Sequence, residues 1–260
     1  MKKNNKKPFF RFVKNIVKIF KRKPKFINSE NILDEPCIYI SNHAASYGPT
    51  NYELYLPTNF RMMGAFQMCG TLKERWKYLY QVYFHQKRKV PKWLASIIAT
   101  IITPFMIMFY KGMQILPIYP DSRFRKTIDE SINTLEKGVS LIIFPEDSSD
   151  GYHDELKGFF GGFWLIAKEY KKRCGKDLKM VPMYLHRKSN QIVVDKYESY
   201  SELSKSFNSH KDAAIFFMDK VNNLYKKIIN KNLWYFMSKI FSFEVFIFIK
   251  CDKIWYIWYL

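Results

Sequence analysis

One histidine and one glutamate stand where short apolar runs end. In "CIYISNHAAS" His43 follows an apolar run from Cys37 to Ser41, and in "VSLIIFPEDSSDG" Glu146 follows one from Val139 to Phe144. An imidazole titrates near neutrality and can take a proton from a reacting hydroxyl, provided something holds it in place. Each residue also has a plain structural reading. A histidine at a strand end can serve as a hydrogen-bonded capping residue, and a glutamate after proline can cap the next loop.

The flanking pattern sends both residues to the same edge. "CIYIS" is rich in β-formers and predicts a buried strand ending at Asn42 and His43. Thr127 with Glu130 predicts a capping box, Ile128, Ile132 and Leu135 share one helix face, and Gly138 ends that helix. The run Val139 to Phe144 then predicts a second buried strand. "GGFWLIAKEYKK" predicts a helix, "KMVPMYL" and "QIVVD" predict strands, and Phe217, Val221, Leu224 and Ile228 stripe a last helix. Helices alternating with apolar strands predict an α/β fold with a mixed, mostly parallel β-sheet flanked by helices. Such sheets bind ligands beyond the carboxyl ends of their strands, so His43 and Glu146 are expected to face one crevice.

Composition narrows the partner. Lys and Arg number 43 against 23 acids, a formal charge of +20, and 18% of residues are aromatic. An anionic partner with greasy contact surface is implied, either a phospholipid bilayer or a nucleic acid. Residues 1 to 26 hold eleven Lys or Arg and no acid, with Phe9, Phe12, Ile16 and Phe20 near helical spacing and Arg11, Lys14, Lys18 and Lys21 on another face. This predicts a basic amphipathic arm on an anionic membrane, the alternative being a solvated or nucleic-acid-binding arm. Nucleic-acid binding has no motif behind it beyond charge and scattered aromatics. Trp93 to Tyr110 is an uncharged stretch containing Pro104; either it crosses a bilayer or it is a buried or shallowly embedded helix. Only the second leaves His43 and Glu146 on one side. The tail, 232–260, is crowded with aromatic residues and reads as a docking segment or as a strand pair over the core. The expected organisation is therefore an arm (1–26), an α/β domain (27–231) and that tail. Four dispersed cysteines, Cys37, Cys69, Cys174 and Cys251, show neither a disulfide framework nor metal-ligand spacing.

Taken together, Asn42-His43 after a strand, Gly112 opening "GMQILPI", the helix ended by Gly138, "FPE" at Phe144 to Glu146, the helix at Gly161 and Gly162, and "VPMYL" at Val181 to Leu185 follow one another in a familiar order. Over roughly residues 25 to 200 the chain resembles the phospholipid/glycerol acyltransferase superfamily, which includes bacterial 1-acylglycerol-3-phosphate acyltransferases. The resemblance implies transfer of an acyl chain from acyl-CoA or acyl carrier protein, as co-substrate, to glycerol phosphate or a lysophospholipid, with no further cofactor and no metal. It implies His43 as general base and Glu146 in the acceptor site. It also implies a peripheral enzyme on the cytoplasmic face of a phospholipid membrane.

The chain departs from that pattern at three places. Gly48 stands where the family has the aspartate five positions after the histidine, no arginine stands near Pro117 or Ile118, and Asp147, Ser148 and Ser149 replace Gly-Thr-Arg after Pro-Glu. In a serine protease, losing the carboxylate that orients the histidine costs roughly 10⁴-fold. Glu53, Asp121, Asp147 and Asp150 are the candidates to replace it, and Arg123, Arg125 and Lys157 are the candidates for the acceptor phosphate. Arg123 and Arg125 equally read as a solvated helix start. The departures keep a second function in play: a catalytically inactive lipid-binding protein that retains the fold.

Overall fold

The structure, a computed structural model, describes residues 8–231. Eight strands form one sheet: β1 (Lys25–Ile27), β2 (Ile38–Ser41), β3 (Phe60–Ala65), β4 (Leu116–Ile118), β5 (Ser140–Ile143), β6 (Lys179–His186), β7 (Gln191–Val194) and β8 (Glu198–Ser199). Their order is β1-β7-β6-β2-β5-β3-β4, with β8 paired to β6. All neighbours are parallel except β6 with β7 and β6 with β8. This is the α/β architecture expected, a mixed and mostly parallel sheet flanked by helices.

Alternation along β2 shows how both faces are covered. Ile38 and Ile40 enter one core with α5 (Phe124–Glu136), α6 (Gly162–Cys174) and, after the one-turn α7 (Tyr200–Leu203), α8, which is described over residues 210–231. Cys37 and Tyr39 enter the other, with α1 (Pro8–Phe20), α2 (Tyr47–Tyr55) and α4 (Lys92–Met113). Period-two side-chain direction thus divides one strand between two layers. Phe217, Val221, Leu224 and Ile228 are all buried, as their stripe predicts.

The helix after β4 begins earlier than its capping signal suggests. Its N-cap is Arg123, and Thr127 is buried inside it, donating to the Pro117 carbonyl and accepting from the Tyr119 amide. Tying strand β4 to the helix is a stronger use of that hydroxyl than capping a later turn.

Between β3 and β4 the chain leaves the sheet as helices. After α3 (Leu72–Lys77) it widens into a π-helical segment, Tyr78–Lys87, and returns along α4. Because β3 and β4, the strands before and after this helical insertion, pair with each other, the insertion leaves and re-enters the sheet at one place and does not split it between two sides of a bilayer. Nor is it a core helix: it is long and apolar enough to cross a membrane, but only 22% of its apolar window is buried. Small residues Ala95, Ala99 and Thr103 face inward, while Trp93, Ile97, Ile101, Phe105 and Met108 lie outside. Helix α1 packs on it through Phe10, whose ring meets Phe109 and lies where a side chain at Gly112 would stand. Phe12, Ile16, Ile19 and Phe20 remain exposed on α1. A short strand, β1, draws the chain into the sheet from Lys25 by pairing with β7. The aromatic tail, 232–260, lies outside the described residues.

Candidate functional site

Strands β2 and β5 are parallel neighbours, so the residues after them emerge side by side. Asn42 extends β2 with its side chain: its Nδ2 donates to the Leu185 carbonyl at 3.0 Å, and its Oδ1 accepts from the Leu185 amide at 2.8 Å. An amide side chain imitating backbone is what asparagine supplies at this position. The chain then turns sharply, with Ala44 and Ala45 both in the left-handed region at φ 46° and 55°. Two such non-glycine residues cost of order 1–3 kcal/mol each and are retained where surrounding structure dictates the turn. Here the dictating contact is Glu146, whose Oε2 accepts from the His43 backbone amide at 2.9 Å.

The two residues singled out from sequence therefore meet, but through the histidine's main chain. The imidazole is held by aromatic rings. Tyr152 stacks on it at 5.0 Å and 24°, and Phe144 meets it edge-on at 5.1 Å. Its Nδ1 is buried without a hydrogen-bond partner. Burial, followed by the positive charge of Lys87, pushes the imidazole pKa down to about 4, against a smaller upward pull from the backbone of Ala45 and His43. Burial pushes the Glu146 carboxyl up, opposed by the amides of His43 and His153.

The loop carrying Glu146 is closed at its base, where the Asp147 amide donates to the Gly158 carbonyl at 2.9 Å and the Phe160 amide to that of Pro145 at 2.8 Å. Farther along, Leu156 exchanges two hydrogen bonds with the Asn222 side chain on α8. Tyr152 is thereby carried over the ring on a braced loop.

The four carboxylates considered as ring orienters lie as follows. Glu53 is buried on α2 and pairs with Lys14 of α1 at 3.3 Å. Asp121 is gripped at both oxygens by Arg123. Asp147 accepts from the Ser149 amide, and Asp150 pairs with His153 and Lys157 at 3.2 and 3.4 Å. None of them hydrogen-bonds the imidazole. Position 48 itself has no room for a side chain, because a Cβ there would stand 2.3 Å from the His43 carbonyl oxygen. The turn that presents His43 and an aspartate at 48 are mutually exclusive in this backbone.

The three cations considered for phosphate are also placed. Arg123 is bound by Asp121 and lies against the stacked pair Phe66 and Tyr119, 4.7 Å from each ring. Lys157 is exposed beside Asp150. Arg125 lines a groove of about 410 Å³ between α5 and α6, with Ile128, Leu165, Lys168, Glu169, Lys172 and Arg173, and no residue of the His43 or Glu146 loops takes part. Sequence reasoning did not find the cation that does face the histidine. Lys87, ending the π-helical segment, donates to the Tyr152 hydroxyl at 2.6 Å and to the Ser148 hydroxyl at 3.3 Å, 4.8 Å from the Tyr152 ring centre. Next to it, Arg88 donates to Ser46 Oγ and the Tyr83 hydroxyl, each at 3.2 Å. Wide π-turns recur at functional sites, and this one aims two successive cations, Lys87 at the Glu146 loop and Arg88 at the His43 loop. The basic run "QKRK" was the one sequence signal. Among the described residues, no group of three or more His, Cys, Asp or Glu side chains converges as a metal site.

The mostly parallel sheet, with His43 and Glu146 at the ends of the neighbouring strands β2 and β5 and a helical insertion before β4, is an α/β fold that other proteins share. A solved structure with this fold is that of the 1-acyl-sn-glycerophosphate (LPA) acyltransferase, PlsC, from Thermotoga maritima, with a TM-score of 0.52 over 84% of this chain and 79% of that one, at 13% sequence identity. No family model and no curated protein sequence matches the chain.

Proposed function

We propose that the protein is an O-acyltransferase working on a membrane surface, in which His43 is the general base. The observation that carries this reading is the 2.9 Å bond from the His43 amide to Glu146, which joins two strand ends at one edge of the sheet in a fold shared with a glycerophosphate acyltransferase. The acceptor is glycerol phosphate or a lysophospholipid, and the donor is a thioester of coenzyme A or of acyl carrier protein. The acceptor hydroxyl gives its proton to the imidazole as its oxygen bonds to the thioester carbonyl carbon. The carbon–sulfur bond then breaks, and the departing thiolate takes the proton back from His43. No acyl-enzyme forms. Base catalysis of this kind contributes roughly 10² to 10⁴-fold.

Membrane attachment has its own support. Trp93, Ile101 and Phe105 are 69%, 62% and 70% exposed on α4, and Phe12, Ile19 and Phe20 are more than half exposed on the packed α1. A stripe of this size on helices beside basic residues fits the interface of an anionic leaflet, on the cytoplasmic face. The reading predicts that purified His43→Ala loses acylated product by at least roughly 10²-fold while binding anionic vesicles as the wild type does. Unchanged turnover would reject it.

A second reading, a catalytically inactive lipid-binding protein on the same fold, is favoured by one observation: His43 Nδ1 has no partner and position 48 cannot supply one. It predicts saturable lysophospholipid binding with no product from any donor.

A further inference from the structure

Lys87 and Arg88 are unusual among the cations near the cleft. Arg123, Lys157 and Lys14 each face a carboxylate. Lys87 and Arg88 hydrogen-bond only neutral oxygens: Tyr152 and Ser148 for the first, Ser46 and Tyr83 for the second. Both sets of oxygens belong in part to the loops that hold His43 and cover it. Ser46 ends the His43 turn, and Tyr152 is the ring lying on the imidazole.

A phosphate oxygen is a better partner for an ammonium than a phenol or a serine hydroxyl, since charge-assisted hydrogen bonds are roughly twice as strong as neutral ones. Resting on the acyltransferase reading, we propose that Lys87, flanked by Arg88, binds the phosphate of the acceptor, and that giving up Tyr152 for phosphate lets this ring move off His43. One exchange of partners then does two things. It anchors the acceptor at the cleft mouth and uncovers the base only when a phosphorylated acceptor is present. The electrostatics run the same way: Lys87 is one of the causes holding the imidazole below its ordinary range, and a phosphate would offset that charge, making His43 a stronger base in the complex. This cation comes from the π-helical segment, a different element from the three cations nominated by sequence position, and its site needs no side chain at position 48.

The test compares binding of a micellar 1-acylglycerol 3-phosphate with that of the monoacylglycerol of the same chain length, by titration calorimetry on the full chain without donor. Wild type is expected to favour the phosphorylated ligand, Lys87→Met to lose roughly 10 to 100-fold of that preference, and Lys87→Arg to keep most of it. In Lys87→Met the His43 imidazole, followed by NMR, is expected to titrate at higher pH than in wild type, and in wild type the phosphorylated ligand is expected to move it in the same direction. A preference that survives Lys87→Met, or a wild type without any preference, overturns the proposal. Because binding is read without turnover, the two claims separate: a protein that discriminates through Lys87 but forms no product refutes the catalytic reading alone, and product formation indifferent to Lys87 refutes this site alone.

Discussion

Helices α6 and α4 are both amphipathic, and they face opposite ways. On α6, Phe163, Trp164, Ile166, Ala167 and Tyr170 are buried against the sheet, and Lys168, Lys171, Lys172 and Arg173 point outward. Over the first turns of α4 the inward residues are small, Ala95, Ala99 and Thr103, with Trp93, Ile97, Ile101, Phe105 and Met108 outside, while Tyr110 and Met113 at its end are buried. Exposing rather than burying a large apolar side chain costs about 1.5–3 kcal/mol, so five on one stripe is a large debt in water and none against lipid. On the membrane reading proposed above, the same periodicity serves two solvents. Helix α6 closes the core under the cleft, and α4 with α1 offers a surface on which the cleft can sit.

The sharpest way to break this contrast is one charge on each helix. Ile166→Glu puts an unpaired carboxylate in the core and is expected to leave little folded protein, a loss above about 4 kcal/mol seen as absent cooperative melting. Ile101→Glu with Phe105→Glu on α4 is expected to keep the melting transition and to weaken binding to anionic vesicles by roughly 10 to 100-fold. Equal loss of folding in both variants would erase the distinction. A smaller effect tests the cleft between the two layers. Gly48→Ala drives a Cβ into the His43 carbonyl, where backbone must give way, and should cost about 1–3 kcal/mol, a melting point lower by several degrees. The last effect is in pH. Burial, followed by the charge of Lys87, holds the His43 imidazole at a folded pKa of about 4 against 6.5 for the free side chain. The unfolded chain therefore takes up the proton first, so stability falls as pH drops from 6.5 toward 4, by about 3 kcal/mol, and this contribution is flat above and below that window. Urea titrations of His43→Gln should lack that component.

Much of the sheet could be read in advance because its central strands are continuous apolar runs. Strands β2, β5, β6 and β7 announce themselves in this way, as does the stripe of α8. Strands β3 and β4 do not: the first opens "FRMM" and the second is three residues with a central proline, so neither carries a period. Helix α2 is hidden for another reason, since it buries Asn51 and Glu53 beside Tyr52 and has no apolar stripe. At the site, His43 and Glu146 were legible because strand ends are where such residues gather. Their actual link, side chain to backbone amide, is not a property of spacing. Tyr152 and Lys87 were invisible because they reach the histidine across long stretches of chain, the first through a closed loop and the second through a π-turn. Spacing alone did not reveal the partner of Arg123 either: Asp121, two residues before it, accepts from its guanidinium.

The central claim is that the His43 imidazole takes the acceptor's proton, and thiol release measures that most directly. Wild type and His43→Gln, matched for vesicle binding, would be given acyl-CoA and 1-acylglycerol 3-phosphate, with free thiol and new ester counted together. The account predicts equal amounts of thiol and ester from wild type and a rate at least roughly 10²-fold lower from His43→Gln. Comparable product from both proteins, or thiol released without ester, would contradict it.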